Sequence, residues 1–236
     1  MTKSPKILVI IPAYNEEGSI CSVIREIRAL KSDMDILVIN DASTDETECL
    51  VAEMNEVVLT LPFNVGIGGA VQTGFKYAHE NGYDVAVQVD GDGQHIPGQI
   101  PLLTEVLQTE ADVVIGSRFI ETLGYTTSWV RRIGVRIFMI VNSLILKQRI
   151  TDSTSGFRAY NKKAIAFLAS YYPHDYPEPE SVVVLGRNGF CIREVPVKMR
   201  EREYGRSSIS AFHSVYYMIK VLLAIFVDLF REKIVH

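Results

Sequence analysis

Short runs of β-branched residues alternate with stretches of helical period along the first 120 residues. Lys6–Ile11, Asp35–Ile39, Val57–Leu61, Val85–Val89 and Val113–Ile115 are rich in valine and isoleucine and nearly continuous, the pattern of strands buried on both faces. Between them, Ile20, Val23, Ile24, Ile27 and Leu30 recur at the i, i+3, i+4 spacing of one helix face. Thr44–Met54, Ala70–Glu80 and Ile100–Leu107 also read as helices. This alternation predicts an α/β fold with a mostly parallel, doubly wound sheet, whose ligands bind at the carboxyl ends of the strands.

The second half is less regular. Trp129–Lys147 predicts a long, largely apolar helix with Arg131, Arg132 and Arg136 near its start. Thr151–Tyr160 is polar and turn-rich, Tyr171–Glu180 carries three prolines and reads as a loop, and Ile192–Val197 reads as a strand. Ser207–Val235 predicts a last helix with Ile209, Phe212, Tyr216, Ile219, Leu223, Phe226 and Phe230 on one face. Its apolar run Val221–Val227 is too short to span a bilayer, so a helix lying on a membrane or docked on a partner is expected. One domain over residues 1–206 followed by this helix over 207–236 is the expected organisation.

Composition narrows the classes. The 236 residues are 47% apolar and 22% charged, which excludes bulk disorder. A net charge of −4 disfavours a nucleic-acid binder. Cys21, Cys49 and Cys191 are odd in number and lack CxxC spacing, which argues against a disulfide framework or zinc site and fits a reducing, cytosolic setting. The opening MTKSPKILVIIPAYNEE lacks the pattern of a signal peptide.

Four motifs carry candidate chemistry. Val89-Asp90-Gly91-Asp92-Gly93-Gln94-His95 places two carboxylates around a glycine at a strand end. Carboxylates this close repel unless a cation joins them, and Mg²⁺ or Mn²⁺ would leave positions open for phosphate; an acidic turn is the alternative. Ile11-Pro12-Ala13-Tyr14-Asn15-Glu16-Glu17 offers an aromatic face at Tyr14 and an acceptor at Glu16 for a nucleobase, or else a helix cap at Asn15. Asp41, in Asn40-Asp41-Ala42-Ser43-Thr44-Asp45, stands where a strand end meets a ligand crevice, with Thr44 and Asp45 as caps of the next helix. Asn64-Val65-Gly66-Ile67-Gly68-Gly69-Ala70 lacks the third glycine of a dinucleotide fingerprint, and reads as a helix start that receives a nucleotide or tightens packing.

IPAYNEE, NDASTD, NVGIGGA, DGDGQH, GSRF and DSTSGFRAY, in this order over residues 6–210, resemble the family 2 glycosyltransferases of the GT-A fold, and among them the polyprenyl-phosphate glycosyltransferases. The resemblance implies an inverting, metal-dependent transfer of a sugar from a nucleoside diphosphate sugar, UDP favoured, to a polyprenyl phosphate of undecaprenyl type. The setting implied is the cytoplasmic membrane face, in cell-surface glycan assembly. It implies a donor pocket of Pro12, Ala13, Tyr14, Glu16, Asp41, Gly69, Asp90, Gly91, Asp92 and Arg202, and Mg²⁺ or Mn²⁺ on Asp90, Asp92 and Gln94. Arg118, Arg131, Arg132 and Ser155 would hold the acceptor phosphate, although Gly134-Val135 replaces a serine common in the family. The catalytic set expected is Asp92, Arg118, Arg131, Glu178 and Glu180.

The partners implied are the membrane surface, a small membrane protein and a second copy of the chain, with no nucleic acid. Two other readings stand beside this one. The same fold would act on a saccharide hydroxyl if a carboxylate in Asp175–Glu180 were an essential base. A nucleotide-binding scaffold would bind donor without turnover.

Overall fold

The computed structural model describes residues 4–120, 129–173 and 176–201, together with 220, 222, 223, 226 and 227. The amino-terminal half runs β1 (Ile7–Ala13), α1 (Ile20–Arg28), β2 (Met34–Asn40), α2 (Thr47–Glu53), β3 (Val57–Thr60), α3 (Gly66–Glu80), β4 (Val85–Gln88), α4 (Ile100–Glu110) and β5 (Val113–Ser117). The remainder adds α5 (Trp129–Leu146), β6 (Arg158–Asn161), α6 (Lys162–Ser170), α7 (Pro177–Arg187) and β7 (Ile192–Pro196).

The seven strands form one sheet in the order β3-β2-β1-β4-β6-β5-β7. All neighbours are parallel except β6, which runs antiparallel to both β4 and β5. The mostly parallel α/β architecture expected from the sequence is therefore present. The reversal of β6 has a direct consequence. Arg158, its first residue, lies opposite Gln88, the last of β4, so the turn before β6 lands at the carboxyl end of β4.

Strands β1, β2, β4 and β5 are largely buried on both faces, whereas β3, expected to be buried likewise, is an edge strand with Val57 50% exposed. Leu8, Ile10, Leu37 and Ile39 pack with Phe75, Phe167 and Tyr160 under α3 and α6. Val9, Ile11, Val38 and Val87 pack with Ile24 and Leu103 under α1 and α4. A smaller cluster joins Phe138 of α5 to Val183 of α7, with Leu222 packed against it.

Two helices differ from the sequence reading. Residues 177–180, expected in a loop, form the first turn of α7. Proline is tolerated there because the first backbone N–H groups of a helix have no intrahelical partner. Helix α6 was not anticipated; its start is marked by Asn161, whose Oδ1 accepts the Ala164 N–H at 2.9 Å. The C-terminal helix expected over 207–236 lies outside the described residues, apart from helical positions at 220, 222, 223, 226 and 227.

Helix α3 can lie close on β1 because Gly74 has no side chain: a Cβ there would overlap Ile10 Cγ2. Gly74→Ala is expected to lower stability by about 1 kcal/mol, overpacking of ~1–3 kcal/mol being offset by alanine's better helix propensity. The loss should shrink in an Ile10→Ala background, read by urea unfolding of the four proteins of the cycle.

Candidate active site

The loops that leave β1, β2 and β4 converge at the carboxyl edge of the sheet. They enclose a cavity of about 720 Å³ lined by Pro12–Glu16, Asp41, Asn64, Gly66, Ile67, Ala70 and Asp90–Asp92. Pro12, Ala13, Tyr14, Glu16, Asp41, Asp90, Gly91 and Asp92, all expected in the donor pocket, thus meet in one place. The volume is that of an ordinary small-molecule site. Tyr14 is 48% exposed and presents its ring at the wall.

The loops are stitched together by side chains. Asn15, in a left-handed conformation (φ 55°), donates its N–H to Ser43 Oγ and accepts the Thr44 N–H at 2.8 Å. It therefore holds the β2 loop and caps no helix; α1 begins after Ser19. Thr44 is turned toward Asn15 and does not cap α2, whereas Asp45 accepts the Thr47 N–H at its start. Ser19 Oγ donates to Gly91 O at 2.7 Å and approaches Glu16 Oε2 at 3.2 Å, joining the β1 and β4 loops. Gly91 lies where the two touch, and a Cβ there would be 3.2 Å from Pro12 O.

Asp41 is 3% exposed, and its two oxygens accept the N–H groups of Val65 and Gly66 at 2.8 and 2.9 Å. The carboxylate caps α3, satisfying N–H groups that begin the helix and opposing its positive end. The glycine-rich segment thus receives this chain's own carboxylate. Gly66 serves the turn with φ +80°, and Gly69 lies outside the cavity lining, its missing Cβ making room for Val65.

The family model "Glycosyl transferase family 2" matches residues 8–168. The chain belongs to this family. It is 35% identical over 221 residues to undecaprenyl-phosphate mannosyltransferase of Micrococcus luteus, covering 87% of this chain and 88% of that one. Polyprenol monophosphomannose synthase of Mycolicibacterium smegmatis is 30% identical over 226 residues, covering 91% and 84%. Among solved structures, glucosyl-3-phosphoglycerate synthase of Mycobacterium tuberculosis, bound to Mn²⁺, UDP-glucose and phosphoglyceric acid, superposes with a TM-score of 0.73 at 21% identity. That match covers 94% of this chain and 80% of the other and shows a shared fold.

In this glycosyltransferase the turn before β6 supplies a second group of residues beside Asp90. Arg118 is 9% exposed and forms a bidentate pair with Asp152, through Nε at 2.6 Å and Nη2 at 2.7 Å; Nη2 also reaches Thr154 Oγ1. Asp152 is held in turn by its N–H on Glu194 Oε1. Arg118 is thus held by a carboxylate, and it is absent from the cavity lining. Ser155, expected on the acceptor phosphate, is 1% exposed; its Oγ accepts the Phe157 N–H inside its own turn. Both side chains shape the turn before β6.

Glu178 is partly buried at the start of α7, and Glu180 is 8% exposed. Neither lines the cavity. Burial pushes the Glu178 carboxyl above its usual range; Arg158 opposes the rise and the Asp90 charge adds to it. Gln94 donates its N–H to Asp92 Oδ1 at 3.0 Å, and Arg200 N donates to Gln94 O. Arg131 and Arg132 fall in α5, but their side chains, like all of Arg202 and Asp175, lie outside the described residues.

Two residues of the site were missed by the motif reading. Arg158 is 1% exposed and donates to Ser153 O, Ser155 O, Glu178 O and Ser181 Oγ. His95, 1% exposed, stands behind Asp90. Both are inside quoted motifs, but nothing in the pattern alone separates a buried polar side chain from a solvated one.

Asp152→Ala would leave the Arg118 guanidinium buried without its carboxylate. A stability loss of about 3–5 kcal/mol is expected, measured by urea denaturation at neutral pH.

Proposed function

We propose that this glycosyltransferase moves a sugar from a nucleoside diphosphate sugar to a polyprenyl phosphate at the inner face of the cell membrane, with inversion and with Mg²⁺ or Mn²⁺. The observation that carries the reading is the charge of the cavity. Glu16, Asp41, Asp90 and Asp92 line it, and among the described residues no lysine or arginine does. A diphosphate entering such a wall is repelled unless a divalent cation accompanies it.

The residues present fit a hard cation. Asp90 is 35% exposed at its side chain and Asp92 is half-buried beside it. No cluster of three His, Cys, Asp or Glu side chains able to hold a metal occurs among the described residues. Two carboxylates suit an ion that takes its other ligands from phosphate and water. Gln94 Nε2 donates to Arg200 O, so Oε1 is the amide atom left for the ion. When bound, the cation would neutralise the charge that develops on the leaving diphosphate.

The chain's own groups would bind and orient. Tyr14 offers a stacking face for the base, with Pro12 and Ala13 beside it. The acceptor phosphate oxygen attacks the anomeric carbon, the bond from that carbon to the diphosphate breaks, and its electron pair leaves with the diphosphate. An acceptor that is already ionised needs no base, so Glu178 and Glu180 shape the sugar side of the site. The relative in Methanococcus voltae is named for UDP-N-acetylglucosamine and dolichyl phosphate, and others for mannose; a UDP-sugar is the donor to try first.

A membrane setting is supported by the surface. Among the described residues no helix is long and apolar enough to cross a membrane. Ile140 and Leu144, one helical turn apart on α5, are 54% and 73% exposed, and Leu223, Phe226 and Val227 are also exposed. Exposed apolar side chains of this kind suit a lipid surface. A small membrane protein that delivers the lipid and a second copy of the chain remain part of the proposal.

The test is transfer of label from UDP- and GDP-sugars into an acid-labile lipid, using membranes supplied with polyprenyl phosphate. EDTA should abolish it. Asp92→Ala should reduce transfer at least a hundred-fold, about 2.7 kcal/mol of barrier, with an unchanged circular dichroism spectrum. Near-normal transfer by that variant overturns the metal assignment. Label in a soluble saccharide instead would favour the hydroxyl-acceptor reading, with Glu178 as base.

Glu178 gives a pH signature. Its folded-state pKa is raised, so its contribution to stability is fully present below the ordinary carboxyl pKa and is lost as pH rises through the folded value. Glu178→Gln should therefore melt above wild type at pH 7.5 and lose that advantage on acidification, while transfer falls. Differential scanning calorimetry across pH reads the first effect and the lipid assay the second.

A further inference from the structure

β4 ends at Gln88, and the chain then leaves the sheet through Val89 and Asp90. The Asp90 N–H has no strand partner there. It donates instead to His95 Nδ1 at 3.0 Å. A ring nitrogen that accepts carries no proton, so the imidazole proton sits on Nε2, and Nε2 lies 3.6 Å from Asp90 Oδ2. One side chain therefore touches both the main chain and the carboxylate of the same aspartate.

The imidazole is itself fixed. It is 1% exposed and stacked on Phe157, with ring centroids 5.0 Å apart and planes at 20°. The His95 backbone pairs with Met199. The carboxylate of Asp90 also meets Gly156, where a Cβ would lie 3.0 Å from both oxygens. Gly156 and Phe157 are consecutive, so one turn stands close to the carboxylate and, through Phe157, against the histidine.

We propose that His95 is a positioning residue: its Nδ1 fixes the backbone of Asp90 and thereby the direction in which the Asp90 carboxylate faces the cation and diphosphate. This rests on Asp90 and Asp92 being the metal motif of the proposed function. The competing role is volume alone, an aromatic ring filling space on Phe157. The two differ in which replacement works. His95→Asn places an amide oxygen near the Nδ1 position and keeps the acceptor while removing the ring. His95→Phe keeps the ring and the stack and removes the acceptor. His95→Gln reaches toward the Nε2 position and misses Nδ1.

The measurement is Mn²⁺ affinity, read from the electron paramagnetic resonance signal of unbound Mn²⁺ titrated with protein in the presence of UDP or GDP. It is independent of turnover. His95→Phe and His95→Gln are expected to weaken Mn²⁺ binding about ten-fold or more, the usual loss when the partner of a metal ligand is removed. His95→Asn is expected to stay within about three-fold of wild type, because its amide oxygen still accepts the Asp90 N–H. Equal affinity in wild type and His95→Phe overturns the proposal, as does equal loss in His95→Asn and His95→Phe. If His95→Phe is unfolded at the assay temperature, His95→Gln decides alone: affinity equal to wild type overturns the proposal. Wild-type protein that binds no Mn²⁺ with either nucleotide overturns the metal reading itself, and this inference with it; Mn²⁺ binding by wild type with no lipid transfer separates the two.

Discussion

A guanidinium inside a protein must find acceptors, and Arg158 determines much of this site by finding them. It is 1% exposed, and its donors go to Ser153 O, Ser155 O, Glu178 O and Ser181 Oγ. Those acceptors belong to the turn before β6 and to the first turn of α7. A buried charge left without them would be costly, so both segments are bound to one side chain at the head of β6. The position of Gly156 against Asp90, and of Phe157 against His95, follows from the shape the turn takes around it.

The same arrangement sets the electrostatics. Arg158 has neutral hydrogen-bond partners, and the carboxylates that feel its charge include Glu178. Arg118 is matched by Asp152. Asp41 is spent on the start of α3. The fixed positive groups described here are therefore already answered within the fold, and the wall of the cavity is left acidic. An acidic wall of this kind suits a diphosphate only in the company of a cation.

Much of this was legible in the chain. Four of the five early strands were found because strands covered on both faces have no polar register to blur them; β3, at the sheet edge, was found from its β-branched run although it is half-exposed. The loops that line the cavity were found because Pro12–Glu16, Asp41 and Asp90–Asp92 stand at or just past strand ends. What failed was the reading of proline at 177 and 179 as loop, although a helix's first turn needs no donors there. The arginine and serine of GSRF and DSTSGFR were read as facing a phosphate. In the fold Arg118 meets Asp152 and Ser155 meets the Phe157 N–H, partners that the motifs did not show. Local sequence shows that a polar group is present but not which partner a distant segment brings to it, and Asp152 and Arg118 meet only through the pairing of β5 with β6.

The place of β6 in the sheet also bears on how the protein is made. β4 pairs with β1 on one side and with β6 on the other, and β5, which leaves the ribosome earlier, does not fill that position. During synthesis the Val85–Gln88 edge must wait, unpaired, until the chain from Val89 to Phe157 has been added. Four buried residues in a row make that edge a hazard for intermolecular pairing. Chaperone dependence and inclusion-body formation should therefore be governed by the speed with which the last third of the polypeptide arrives, and carboxyl-terminal truncations ending before Arg158 should aggregate rather than persist as a smaller soluble domain.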